Sequence, residues 1–336
     1  MKILLTTAAI LFSLSPFTGG PTALVFDPPA KTSWRRSRRS DSSSDFQNMT
    51  VKMAGEEIPA EFLPQLEILT NGLTEMEVID TYVSVSNGRA TRMTRSYESI
   101  SANKTMEFEM TGMGDDQSED GESDGSSKLE GRTVDFEWDQ AAEAYELRFE
   151  GGEESVSPPA SLVQDYDLRL LLPSDEVEVG DSWTVDIVAL AGVMELAIDL
   201  DLEWEGDDLS QGEPTQKEEA GELELLFTKL ETSEGVRLAH IEIVGEVTKT
   251  EVFDTDLERV PVADGEATET FVSDVDLSGT LIWNLDAGLM QSFELGGDGS
   301  LTSTIEKTDA GPGEEFESTS TFTFELSLEF TVSEAD

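Results

Sequence analysis

The sequence predicts a mainly β protein: a large, curved antiparallel sheet or open half-barrel carrying one or two short helices. Three observations predict it. Apolar and polar residues alternate over nearly the whole chain after its first two dozen residues, the period at which side chains share one face of a strand. Turn residues interrupt the alternation at hairpin spacing. Hydrophobic residues make up 38% of the 336, enough for a core despite 72 acidic residues against 21 basic ones and a formal net charge of −51.

Taken in order, the chain opens MKILLTTAAILFSLSPFTGGPTALVF. Lys2, an apolar run over 3–14 and a following small-residue region have the grammar of an export leader. We therefore expect a signal peptide over 1–23, cut after Ala23 although Pro21 is a poor residue so close to the cut. A β-rich domain follows over 24–336, read either as one unit or as two related halves, 24–170 and 171–336. An exported chain resides in the periplasm or outside the cell. No later stretch reaches the apolar length of a membrane helix, so no transmembrane helix is expected in the mature chain. The chain has no cysteine, which excludes disulfides, thiolate metal sites and cysteine nucleophiles.

TSWRRSRRSD at 32–41 concentrates four arginines in a strongly acidic chain. Alternation places Trp34, Arg36 and Arg38 on one face of a strand and Arg35, Ser37 and Arg39 on the other. Glutamates on neighbouring strands would neutralise them. A nucleic-acid groove needs several converging basic and aromatic elements, and no second basic cluster exists, so no nucleic acid is expected as a partner. EEIPAEFLPQLEIL (56–69), ASLVQDYDL (160–168) and the apolar run IVALAGVM (187–194) are the helix candidates. Asn87-Gly88 between alternating runs marks a two-residue hairpin.

GDDQSEDGESDGSS (114–127) reads as an acidic, disordered hairpin loop. Asp116, Ser118, Asp120, Glu122 and Asp124 partly match the first positions of an EF-hand loop, but Ser127 stands where the bidentate glutamate belongs. Any Ca²⁺ would be held weakly there; otherwise no cofactor is expected. GRTVDFEWDQAAEAYELRFEGG (131–152) and GTLIWNLDAGLMQSFELGG (279–297) share one hairpin plan and hint at a duplication.

LLPSDEVEVGDSWTVD (171–186) reads as a strand entry: Val177 and Val179 begin an alternating strand, Gly180-Asp181 bends it, and Trp183 and Val185 resume the buried face. LAIDLDLEW (196–204) alternates as a strand. In VRLAHIEIVGEV the only histidine, His240, falls on the polar face with Glu242 and Glu246. A turn at 232–235 and another at 285–288 close hairpins. One face of the next long strand carries Phe271, Val275, Leu277, Leu281, Trp283 and Leu285. The last strand puts Phe322, Phe324, Leu326, Leu328, Phe330 and Val332 on one face, each contributing about 1.5–3 kcal/mol when buried.

The one G-x-S-x-G string, GESDG at 121–125, lies in the acidic segment without the strand-to-helix setting of a nucleophile elbow, and a metalloprotease H-E-x-x-H needs two histidines. Carboxylate pairs must arise by chance among so many acids, so they do not argue for an enzyme, and no catalytic residue is assigned. Composition points to an acidic, salt-tolerant protein whose self-repulsion counter-ions relieve.

LVFDPPAKTSW (24–34), LLPSDEVEVGDSW (171–183) and SGTLIWNLDAGLMQSFELGGDG (278–299) together resemble an uncharacterised family of secreted bacterial β-rich proteins, with an L-x-F-x-P start, an L-P-x-x-x-V-x-V-G-D-x-W core and a G-x-L-x-W-x-x-x-x-G hairpin. The resemblance implies no activity. More distantly the sheet resembles the half-barrels of periplasmic lipoprotein carriers, which implies acyl chains in a concave face and lipid or lipoprotein as partner. The expectation is thus a non-enzymatic envelope or extracellular protein binding a hydrophobic ligand. The alternatives are a secreted hydrolase using paired carboxylates and an outer-membrane β-barrel, the latter opposed by the acidic second face of most strands.

Overall fold

Alternation over runs of about twenty residues can be satisfied only by long strands, and the computed structural model contains them. It describes residues 20–112, 117–151, 158–159, 162, 168–187, 200, 202–206, 214–256, 266–307 and 315–335. In chain order the strands are β1 (Thr32–Met53), β2 (Glu56–Glu57), β3 (Gln65–Ser86), β4 (Arg89–Thr111), β5 (Gln117–Ser127), β6 (Thr133–Asp139), β7 (Ala144–Phe149), β8 (Ser182–Asp186), β9 (Leu202–Gly206), β10 (Gln216–Ser233), β11 (Val236–Asp256), β12 (Glu266–Asn284), β13 (Leu289–Lys307) and β14 (Phe316–Glu334). They form one antiparallel sheet of 14 strands in the order β7-β6-β4-β3-β1-β14-β13-β12-β11-β10-β8, with β2 on β1 and β5 between β4 and β9. β7 and β8 end the row, paired inward to β6 and β10 but not to each other, so the sheet is open. N-terminal β1 lies between β3 and C-terminal β14, joining the two parts of the chain.

The hairpin turns are where the sequence puts them. Asn87 and Gly88 both take positive φ (53° and 68°), as do Glu234 and Gly235 (52° and 89°). That is the handedness a two-residue hairpin needs. At 285–288 the Asn284 side chain accepts the backbone N–H groups of Asp286 and Ala287 (3.1 and 2.9 Å).

The core sits at one end of the sheet. Val78, Met93 and Phe136 from one flank and Leu225, Ile241 and Trp283 from the other are all fully buried in one cluster, with Phe293 and Phe330 between them. A flat single layer would leave that face wet, so the sheet curls around it. Leu24, Phe26, Leu171 and Val177 close the end, fastened by a Thr22–Val177 bridge and an Asp27 N–H bond to the Gly288 carbonyl (2.8 Å). Residues 1–19 of the expected leader lie outside the described residues. A smaller cluster of Val51, Ala267 and Phe316 marks the far end.

Glycines crease the sheet at mid-length. A Cβ at Gly279 would overlap the Glu294 carbonyl oxygen, and one at Gly299 the Asp274 carbonyl oxygen. Only a bare Cα allows the neighbouring strand to come so close, which is how a long sheet acquires curvature.

Three expectations are corrected. Among the described residues the only helical elements are 3-10 turns at Ala60–Phe62 and Arg169–Leu171. Pro59 and Pro64 flank the first, and the alternating residues after Pro64 enter β3. Leu162 and Leu168 are the described part of the second helix candidate and Ile187 of the third; the remainder falls outside the described residues, as does most of 196–201.

The acidic segment is not a loop from Gln117 onward: it is β5, paired with β4 on one side and β9 on the other. Gly121 and Ser123 face inward, buried, while Asp120, Glu122 and Asp124 face water, so the acids hid a period-two pattern. Finally, Val177 forms only an isolated bridge and Val179 is exposed in a turn; the strand begins at Ser182. Gly180 takes φ of 103°, and Trp183 donates its indole N–H to the Leu171 carbonyl (2.8 Å).

Candidate functional site

The arginine cluster lies on β1, flanked by acids as expected, but its two faces differ. On the outer face Arg35 pairs with Glu77, and Arg39 contacts Glu75 (2.7 Å) and grips Asp41 with two hydrogen bonds (2.7 and 2.9 Å). On the inner face Arg36 and Arg38 are buried, each 2% exposed. The β3 carboxylate Asp80, 1% exposed, stands between Arg36 Nε (2.9 Å) and Arg95 of β4, which it accepts bidentately (2.7 and 2.8 Å). Arg36 also donates to the Tyr82 hydroxyl (2.8 Å), and Arg38 lies over the Phe330 ring, 4.7 Å from its centroid. Half of the cluster is therefore enclosed in the core and cannot reach a phosphate backbone.

Sequence reading missed the inner network, although a signal existed. Asp80 shares its parity with Met76, Val78 and Tyr82, and Arg95 shares its parity with Met93 and Tyr97, so each is a charge on an apolar face. The register that brings them together (Trp34 opposite Asp80, Asp80 opposite Arg95) is a property of the pairing, not of either strand.

The EF-like residues do not come together. Asp116 lies outside the described residues, and Ser118, Asp120, Glu122 and Asp124 follow one another along β5. Alternate residues of a strand stand about 7 Å apart, so these ligands spread along a line instead of wrapping an ion. Asn103 instead donates to Glu122 and Asp124 (3.3 and 3.0 Å). His240 is on the outer face, with its partner Glu231 on β10 (3.2 Å), not Glu242 or Glu246. Lys229 and then His240 hold the Glu231 carboxyl below its ordinary value.

Pairing exposes a feature the linear sequence conceals. Asp186, Glu222, Glu246, Asp276, Asp298 and Glu325 stand directly opposite one another on β8, β10, β11, β12, β13 and β14, all exposed. This carboxylate rung crosses the outer face at the glycine crease. A groove of about 750 Å³ lined by Glu222, Glu224, Glu246 and Asp276 lies over it. Among the described residues no three potential ligands close on a common point.

The inner face changes character along the strands. Beyond the core come hydroxyls and glycines, including Ser40, Ser42, Ser44, Thr70, Gly72 and Thr74. Further out comes an apolar belt, partly exposed except at Phe253, which is buried. Phe46 meets Phe322 edge to face (5.5 Å, 77°), and Phe253 meets Phe271 (5.5 Å, 90°). Phe324, Leu301, Ile68 and Phe108 continue the belt, half-buried. Among the described residues two groups of this face are shifted by burial. Glu269 accepts a hydrogen bond from Ser303 (2.8 Å), and burial raises its carboxyl despite that bond. It lies opposite Phe253 and Ile305. Lys104 lies over the Trp204 ring, 4.3 Å from the centroid, and burial lowers its ammonium.

No family model matches the chain, and no curated protein matches it. Among solved structures, one alignment is with the secretin-domain β-barrel of InvG from the Salmonella SPI-1 injectisome, at 7% identity and a TM-score of 0.14. It covers 92% of this chain and 64% of that one. A likeness at that score bears on neither fold nor function.

Proposed function

We propose that this is an exported, non-enzymatic envelope or extracellular protein that holds a hydrophobic ligand against the concave face of its open sheet. The observation that carries the reading is the apolar belt on the inner face, away from the filled core, in which Phe46, Phe322 and Phe271 stay partly exposed while Phe253 is buried against Phe271. The opposite face of the same strands is acidic. Contiguous apolar surface kept open on a concave wall is the ordinary form of a site for apolar ligands. The leader-like N-terminus supports export, and the secreted-family motifs point the same way.

Mass spectrometry of protein purified under native conditions from its own host tests the reading. Co-purifying lipid at a fixed stoichiometry is the expected result. A lipid-free protein that also fails to enhance the fluorescence of an apolar probe such as N-phenylnaphthylamine would overturn it.

A further inference from the structure

We propose that Lys104 receives the head group of the ligand, and that the concave face is built for a long-chain carboxylate, the acyl chain lying along the apolar belt. The proposal rests on the concave-face reading and assigns it a ligand class.

Lys104 belongs to the inward parity of β4, which continues outward as Met106, Phe108 and Met110. Its neighbours on the adjacent strands are Gly72 and Ser123, so one side of the ammonium is bare backbone and the other a hydroxyl. Trp204 of β9 provides an aromatic surface beneath it. No carboxylate among the described residues pairs with it, and burial lowers its ammonium.

Among the described residues that lack sets Lys104 apart. Two other lysines of the inward parity have their own acids two residues along the strand, Lys217 with Glu219 (3.2 Å) and Lys249 with Glu251 (3.0 Å). A half-buried ammonium held by an aromatic ring and facing small residues is short of one negative charge. A ligand that brings a single anionic group and an apolar chain satisfies both Lys104 and the belt beside it.

From Lys104 to Met110 the strand advances about 20 Å, room for an extended long chain. The carboxylates of the acidic rung project from the other side of the sheet. Salt screens them over about 8 Å at physiological ionic strength, so they do not prevent an anion from settling on the inner face.

The test compares hexadecanoate with hexadecanol, two ligands of one chain length, on the mature protein, using displacement of a fluorescent polyene fatty acid. Wild type is expected to bind hexadecanoate about tenfold more tightly than hexadecanol. Lys104→Met should abolish that preference while leaving hexadecanol affinity unchanged, and Lys104→Arg should keep it. Retained hexadecanol binding reports that the variant is folded; if Lys104→Met melts early, Lys104→Gln takes its place. Equal preference in wild type and variant, or no preference in wild type, overturns the role of Lys104 and leaves the apolar face standing. Failure of wild type to bind either compound overturns the concave-face reading itself.

Discussion

Asp80→Asn is the sharpest perturbation of this fold, because it removes one charge from a network with no access to water. Asp80 is 1% exposed, Arg36 2% and Arg95 0%, and the carboxylate contacts both guanidinium groups at 2.7–2.9 Å. The amide is nearly isosteric, so packing is preserved and electrostatics alone changes. At about 4 Å and an effective dielectric constant near 20, each lost charge pair forfeits roughly 4 kcal/mol of attraction. Removing one partner of a buried pair costs about 3–5 kcal/mol once relaxation is included. With an m-value near 3 kcal/mol/M, the urea midpoint should fall by about 1 M or more at unchanged m. Arg95→Met introduced into the Asp80→Asn background should recover part of the loss, because it removes one of the stranded cations. Arg39→Ala, which breaks contacts on the wet face of the same sheet, should cost only about 0–1 kcal/mol. An Asp80→Asn midpoint within experimental error of wild type would refute the argument that burial makes this carboxylate indispensable.

Other outcomes follow from the same structure. Replacing Asp276, at the centre of the acidic rung, by Asn should raise the melting temperature at low salt and lose that advantage near 1 M NaCl. Like charges directly opposite cost about 0.2–1 kcal/mol per pair, and Asp276 faces two; a salt-independent difference would exclude repulsion as its cause. Gly279→Val should unfold the protein at lower urea by about 2 kcal/mol or more, since its side chain meets the Glu294 carbonyl, whereas Gly296→Val, where a Cβ has no neighbour nearer than 3.9 Å, should cost much less. For Glu269, burial raises the carboxyl above its ordinary value of 4.5, so its contribution is favourable below that value and is lost as pH rises through the folded pKa. Glu269→Gln should therefore match wild type in acid and become the more stable form towards neutral pH, read as melting temperature against pH; a constant offset would refute the assignment.

Much of the architecture was legible because period-two patterning and turn chemistry are local. β12 and β14 carry their apolar residues where alternation puts them, and Asn87-Gly88 turns the chain as its side chains require. What escaped was everything that depends on which strand lies beside which. β5 reads as a solvated loop because its inward residues are glycine and serine, which hydropathy does not distinguish from turn residues. The acidic rung consists of six unremarkable exposed acids until pairing sets them in line. Lys104 looks like any strand lysine until Gly72, Ser123 and Trp204 are known to surround it.

β1 shows why the buried arginines belong to the fold and not to a partner. Between Trp34 and Phe46 the strand reads RRSRRSDSSSD, without one apolar side chain to declare an inward face. Hydrophobic burial fixes register elsewhere in the sheet, but here it has nothing to act on, and a slip of one residue would meet little apolar resistance. The Arg36–Asp80–Arg95 contacts supply that resistance. Shifting β1 by one position would carry Arg36 away from Asp80 and leave a carboxylate and a second guanidinium in the core with their geometry broken. The same shift would uncouple Arg35 from Glu77 and Arg39 from Glu75 on the outer face. Because β1 is the strand through which β3 and β14 meet, its register also sets how the two flanks of the sheet align around the core, and so where the open, apolar part of the inner face begins.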